Sequence, residues 1–303
     1  MNLIQENEEG QRSKLITRRK FLYGSILSVS AVAITGCVSG IITRKNVEVT
    51  YRSIEIPNLP PAFKGLKITL ASDIHSSPYM SLEDMQEIAK LINALKSDVI
   101  LLPGDFVTGH RNELPPIVEA LSVLKAPMGI FATTGNHEYY VDADLVSDGI
   151  TSIGIKMLRN ENIALEKDGQ KLYLLGVDDK NDVDIIPYTE GKSAEHIEAL
   201  FHGVPEKAVT ILMCHKPYQF ENFAKTNTGL MLSGHTHGGQ IVFGKVGETV
   251  LSLSSIASKY VAGHYDITEG TKRTQLYVSR GLGTVALPMR FNCPPEITQI
   301  TLV

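Results

Sequence analysis

The sequence predicts an α/β fold. Short apolar runs recur along the chain, each closed by a cluster of polar and turn residues. Amphipathic stretches with helical spacing stand between the early runs. That strand–helix–strand alternation argues for parallel pairing in the first half. The chain has 303 residues, 43% hydrophobic and 20% charged. This is an ordinary globular balance and excludes a disordered chain.

The elements follow in order. Leu66 to Ala71 alternates apolar and polar residues and ends in Ser72-Asp73-Ile74-His75. Ser81 is placed to cap a helix, with Asp84 three residues on. Leu82, Met85, Ile88, Ala89, Ile92 and Leu95 then line one face. Val99 to Leu102 is a continuous apolar run into Pro103-Gly104-Asp105. Pro115 and Pro116 open a second helix, with Ile117, Val118, Leu121 and Leu124 inward. Ile130 to Thr134 ends in Gly135-Asn136-His137-Glu138, and Leu172 to Leu175 ends in Gly176-Val177-Asp178-Asp179. Val209 to Met213 ends in Cys214-His215, and Leu230 to Leu232 in Ser233-Gly234-His235-Thr236-His237. Such short runs, bounded by turn residues, suit strands buried on both faces. Beyond Gly238 the candidates are Leu251-Ser252-Leu253, Gln275 to Ser279 and Ile297 to Val303. They suggest a mixed or antiparallel completion of the sheets.

Residues 1–36 are set apart as a targeting segment. Arg12, Lys14, Arg18, Arg19 and Lys20 precede Phe21 to Gly36, 16 residues without a charge. A helix crossing a bilayer needs about 20, so this reads as a signal-peptide core. Thr17-Arg18-Arg19-Lys20-Phe21-Leu22 looks like a twin-arginine export signal. Ile34-Thr35-Gly36-Cys37 resembles a lipobox, whose cysteine takes a lipid. The alternative is a short uncleaved anchor. Both place the globular part outside the cytoplasm, on a membrane. Residues 37–50 read as a linker and 51–303 as the domain. Residues 1–36 carry five Lys/Arg and three Asp/Glu, so without them the net charge of −4 becomes −6. Nothing in that balance attracts nucleic acid or anionic lipid. Cys214 and Cys293 read as core thiols.

Chemistry-bearing residues gather where strands are expected to end, the position at which open α/β sheets bind ligands. Five of the nine histidines lie there: His75, His137, His215, His235 and His237. His110, His196, His202 and His264 sit in polar or turn contexts and read as surface residues. Asp73 and His75 stand two apart on an extended chain, so one ion can receive both. His235 and His237 repeat that spacing with glycines around them, leaving backbone close to something bulky such as a metal pair or a phosphate. Asp105 and Asn136 add oxygen donors. Oxygen and imidazole donors without thiolate suit Mn, Fe or Zn, and the number of donors suits two divalent ions sharing a carboxylate.

The ordered set Asp73-x-His75, Gly104-Asp105, Gly135-Asn136-His137-Glu138, His215 and Gly234-His235-Thr236-His237 resembles the calcineurin-like metallophosphoesterase superfamily. Gly238-Gly239-Gln240, Ser279-Arg280-Gly281-Leu282-Gly283 and Arg290-Phe291-Asn292-Cys293-Pro294-Pro295-Glu296 resemble its bacterial exported branch. The resemblance implies two facing mixed β-sheets flanked by helices, with a dimetal site at one sheet edge. It implies that one ion takes Asp73, His75 and His237, the other Asn136, His215 and His235, and that Asp105 bridges. It implies that His137 contacts the phosphate and protonates the leaving group. The implied reaction is phosphoester hydrolysis, most specifically of a phosphodiester, by hydroxide formed between the ions.

One position departs from the pattern. Where the family often carries an Asp that orients the catalytic histidine, this chain has Thr108. Glu138 is a poor substitute if the chain there is extended, since adjacent side chains then point apart. Arg280 and Arg290 are candidate phosphate contacts. Leu287-Pro288-Met289 is either an apolar lip of the site or a packed turn. Two alternatives stand beside the leading one. The first is a pyrophosphatase of the UDP-diacylglucosamine type, whose substrate is lipid-linked. The second is a metal-binding protein without catalysis. The oligomeric state is open.

Overall fold

The computed structural model describes residues 40–180, 192–246, 249–252, 254–270 and 272–303. The twin-arginine stretch and Cys37 lie outside the described residues. The folded unit runs Gly40–Val303, and its start is tied down by the Arg290 backbone N–H donating to the Gly40 carbonyl at 2.9 Å. Residues 40–50 of the stretch expected as a linker therefore already hold structure. Its last residues begin β1 (Glu48–Ile54), which pairs parallel with β14 (Glu296–Leu302). The side chains of β1 are largely exposed until Ile54, which is why it lacks the apolar signature of the other strands.

The first sheet continues through β2 (Lys67–Leu70), antiparallel to β14. From there β3 (Val99–Pro103), β4 (Ile130–Thr133) and β5 (Lys156–Met157) add in parallel. The second sheet contains β6 (Glu161–Lys167), β7 (Gln170–Gly176), β8 (Thr210–Met213), β9 (Leu230–Ser233), β12 (Gly263–Glu269) and β13 (Lys272–Val278). Its order is β12-β13-β9-β8-β7-β6, parallel in the centre and antiparallel at both edges. Between β9 and β12, β10 (Val242–Val246) and β11 (Thr249–Ser252) form a separate hairpin.

Alternation along the strands decides what packs where. In β3, Val99 and Leu101 face the second sheet, while Ile100 and Leu102 belong to the cluster on the other side. In β8, Ile211 and Met213 face inward and Leu212 outward. The outer face of the first sheet is covered by α1 (Leu82–Ala94), α2 (Leu114–Leu121) and α4 (Ala143–Thr151), through Met85, Ile88, Ile117, Leu121, Val146 and Ile150. The outer face of the second is covered by α5 (Lys192–Phe201) and α6 (Phe220–Ala224), through Leu200, Phe220 and Phe223. The result is helix, sheet, sheet, helix. It matches the two facing mixed sheets expected.

Both expected helix starts are present. The Ser81 side chain accepts from the Asp84 N–H, and the Asp84 carboxylate accepts from the Ser81 N–H, closing a capping box. The α2 prolines lie in its first turn, where a missing N–H costs nothing. Cys214 and Cys293 are buried free thiols.

Candidate metal centre

The carboxyl ends of five central strands meet at one edge of the sandwich. β2 delivers Asp73 and His75, β3 delivers Asp105, and β4 runs into α3 (Asn136–Val141) with Asn136 and His137. From the second sheet β8 delivers His215, and β9 delivers His235 and His237. Asp73, His75, Asp105, Asn136, His215 and His237 are buried, while His137 and His235 are half-buried. The seven expected metal donors and His137 therefore converge at that edge. By contrast His110, His202 and His264 are exposed.

The donor atoms fall into overlapping groups. Asp73, His75 and His237 form one, and Asp105, His215 and His235 another, with donor atoms within 4.8 Å of one another in each. Asp105 also groups with His75 and His137. Its Oδ2 stands 3.0 Å from His215 Nε2 and 3.5 Å from His75 Nε2. One carboxylate thus faces a histidine of each cluster, the geometry of a bridge.

Several polar atoms at the site are crowded together or left without a hydrogen-bond partner. His75 Nε2 and His237 Nε2 face each other at 3.1 Å. His215 Nε2 is buried near Asp105 yet lacks hydrogen-bond geometry, and the buried Asn136 Oδ1 has no partner. A buried carbonyl oxygen without a donor costs free energy. Donors crowded around a common point, with lone pairs unmet, are what metal ligands look like. Asn136 Nδ2 meanwhile donates to Tyr140 Oη at 3.3 Å, which orients the amide.

The backbone carries strain to reach this arrangement. Asp73 (φ 53°), His75 (φ 52°), Asp105 (φ 58°), His235 (φ 71°) and His237 (φ 51°) are all left-handed. Such residues cost of order 1–3 kcal/mol each and persist where surroundings over-determine them. Here the loops interlock. The N–H groups of Asp73 and His75 donate to the carbonyls of Gly104 and Asp105 at 3.1 and 3.0 Å. The His235 N–H donates to Asp73 Oδ1 at 2.8 Å, and the His137 N–H to Asp105 Oδ1 at 2.9 Å.

The glycines work differently from the expectation that they make room for a ligand. A Cβ on Gly234 would lie 2.1 Å from Asp73 Oδ2, so this glycine admits the aspartate carboxylate. A Cβ on Gly238 would meet Arg280 Cγ at 2.6 Å and Cys293 Sγ at 2.7 Å. Gly238 therefore serves close packing of the chain on itself.

Electrostatics follow from burial and proximity. Burial alone would push the His215 imidazole down, but the Asp105 carboxylate beside it, with Asp73 and Asp179, raises it to about 10. Burial lowers His75 to about 3, against the pull of Asp105. Burial, with His75 and Arg290 nearby, holds His237 well below the usual range. Burial raises the Asp73 carboxyl. Burial would raise Asp105 as well, but the surrounding histidines, His215 foremost, outweigh it and hold this carboxyl well below its ordinary value. Burial thus holds two imidazoles neutral, the state that metal ligation requires. His215 Nδ1 faces the Pro103 carbonyl at 2.7 Å, so Nδ1 carries the donated proton and Nε2 is turned to the site.

The departure at Thr108 is resolved by the backbone. His137 Nδ1 lies 2.5 Å from the Thr108 carbonyl oxygen, and the Thr108 hydroxyl donates elsewhere, to Ser76 O at 3.2 Å. The chain is helical at 136–141, so the extended-chain reading of Glu138 does not apply. Glu138 is fully buried, and its carboxylate accepts from the N–H groups of Asp105 (2.9 Å), Phe106 (2.8 Å) and Gly135 (2.6 Å). It fastens the Asp105 loop to the start of α3. Burial and the Asp105 charge raise its pKa to about 7. Its spacing from Gly135, that of a capping carboxylate, is the trace of this role in the sequence.

Both arginines expected as phosphate contacts already have partners within the fold. Arg280 donates to Glu296 Oε2 and Glu48 Oε2, each at 3.0 Å, so its charge is already met by two carboxylates. Arg290 is fully buried. Its guanidinium donates to Gly283 O at 2.9 and 2.6 Å and to Cys293 O at 3.3 Å, and stands 3.3 Å from His237 Nδ1. It packs behind His237, a residue of the first donor cluster.

Residues 66–239 match the family model described as calcineurin-like phosphoesterase. A Bos taurus transmembrane protein with metallophosphoesterase domain is 31% identical across 94% of this chain and 63% of its own length. The chain therefore spans less than two thirds of that relative. An uncharacterised metallophosphoesterase of Aquifex aeolicus is 33% identical, covering 82% of this chain and 89% of its own length. The uncharacterised metallophosphoesterase YkuE of Bacillus subtilis is 31% identical, covering 95% and 98%.

Proposed function

The chain belongs to the calcineurin-like phosphoesterase family, and we propose that it is a metal-dependent phosphoester hydrolase that prefers phosphodiesters. The observation that carries this is the Asp105 carboxylate shared between two donor clusters, beside a buried Asn136 oxygen that nothing else satisfies. Asp73, His75 and His237 would hold one divalent ion, Asn136, His215 and His235 the other, and Asp105 both. Such ions, when bound, supply the positive charge that offsets phosphoryl oxygens and lowers the pKa of water; Mn, Fe and Zn all suit the donors.

The chain's own residues do the rest. His137 lines the cavity at the site. Its Nδ1–H is spent on the Thr108 carbonyl, which fixes the ring and leaves Nε2 to give a proton to the departing oxygen. No lysine or arginine lines that cavity among the described residues. A doubly charged monoester would gain from such a cation, and a singly charged diester needs it less. This favours the diester.

The test is hydrolysis of a chromogenic phosphodiester by the purified protein with added Mn²⁺. Asp105→Asn is expected to lose about 100-fold or more in kcat/KM. A His235→Ala variant that turns over as fast as wild type removes that residue from the donor set.

The segment before Gly40 supports action outside the cytoplasm, at a membrane. Arg18-Arg19 and the uncharged run to Gly36 suit export, and Cys37 suits acylation. Among the described residues no helix is long and apolar enough to cross a membrane. Mass spectrometry of the protein from its membrane fraction should find an acylated N-terminus at Cys37. An intact Met1 N-terminus refutes processing.

A further inference from the structure

The open cavity at the site measures about 300 Å³ and is lined by two kinds of residue. One side carries Asp105, His137, His235 and His237. Ile241, Val285, Ala286 and Leu287 make an apolar side, next to the polar Thr236, Gln240 and Ser254. Leu287 is 51% exposed. A single exposed leucine needs no explanation; what marks this one is its place in the lining of the cavity that holds His137, His235 and His237.

This wall is built. The Gln240 side-chain amide donates from Nε2 to the carbonyls of Val285 and Leu287, both at 3.0 Å, and its Oε1 accepts from the Val285 N–H at 2.9 Å. One glutamine thus takes three backbone bonds from the same short loop. Gln240 follows His237 by three residues and is itself left-handed, φ 52°. The clamp ties the position of the wall to the loop that carries His235 and His237. Ala286 is also left-handed, φ 61°, a conformation that a residue with a Cβ keeps only when held.

We infer that this wall selects the substrate: it receives an apolar alkyl or aryl group esterified to the phosphate that the site attacks. The inference rests on the phosphoesterase reading of the same site. The chemistry of the cavity supports it. Among the described residues its lining includes no lysine or arginine for a second phosphate or a carboxylate, and Ile241, Val285, Ala286 and Leu287 offer carbon beside the histidines. Burying the ester's apolar group there gives a hydrophobic gain that a methyl ester lacks.

The test uses the full chain with Mn²⁺ and p-nitrophenyl phosphodiesters whose second ester group is methyl, butyl or octyl. The leaving group is constant, so the chemical step is shared. kcat/KM should rise with chain length, by at most about fourfold per methylene while the cavity fills. Leu287→Ser should lower the octyl-to-methyl ratio by roughly tenfold, and Leu287→Met should restore it. A flat series in wild type, or a ratio unchanged in Leu287→Ser, overturns the inference while leaving the phosphoesterase reading in place. No turnover of any ester, methyl included, overturns both.

Discussion

At the scale of single residues, the site depends on which atom of each side chain is already spent. His215 gives Nδ1 to the Pro103 carbonyl and His137 gives Nδ1 to the Thr108 carbonyl. Each therefore presents Nε2, and neither tautomer is set by a carboxylate. The residue type at 108 is thus less important than its backbone. Thr108→Ala should keep kcat/KM within about threefold of wild type, while losing a hydroxyl bond to Ser76 O worth ~1 kcal/mol. A folded Thr108→Ala protein with activity down about 100-fold would show that the hydroxyl matters to His137. The identities of the donor residues were legible in the sequence, because short spacings at strand ends put them together. Burial was not. Arg280 and Arg290 read as phosphate contacts because a sequence shows a charge without showing its partners. In the fold two carboxylates and a set of carbonyls had already taken them.

At the scale of elements, strands buried on both faces were legible because continuous apolar runs leave little else to do. β3, β8 and β9 coincide closely with the runs that predicted them. β1 was missed because an exposed strand carries polar side chains and is defined by pairing across the chain, with β14. The helix at 136–141 was missed because so short a helix gives no periodic signal. The loop geometry was partly legible: the glycines marked close approach, but to Asp73 and to Cys293 instead of to a ligand. Gly234→Ala tests this. Its Cβ cannot coexist with Asp73 Oδ2 at 2.1 Å, so the carboxylate must move off its bond with the His235 N–H. Metal affinity should fall by roughly 10–100-fold, read by titration with Mn²⁺. Affinity equal to wild type would mean that Asp73 is not held as described.

At the scale of the whole molecule, the two sheets are joined at the site edge by a second network. Glu296 on β14 takes hydrogen bonds from Thr50 on β1 and from Tyr277 on β13, at 2.5 and 2.7 Å, and from Arg280. Burial would push the Glu296 carboxyl up, but Arg280, with the Thr50 and Tyr277 hydroxyls, holds it below its ordinary value of 4.5. A depressed folded pKa gives stability that is present above the ordinary value of 4.5 and lost as pH falls through the lower folded value. Glu296→Gln should therefore unfold at lower denaturant near neutral pH, with a shallower loss of stability in acid than wild type. Equal acid dependence in the two proteins would contradict the role given to this carboxylate.

All of this serves one arrangement, in which loops from both sheets close on a shared carboxylate. The most direct measurement is the metal content of the purified chain after Mn²⁺ loading and removal of excess ion, by mass spectrometry. A shared carboxylate should give two ions per chain in wild type, about one in His237→Ala, and none retained in Asp105→Ala. A wild-type protein saturating at one ion, or Asp105→Ala keeping two, would contradict it.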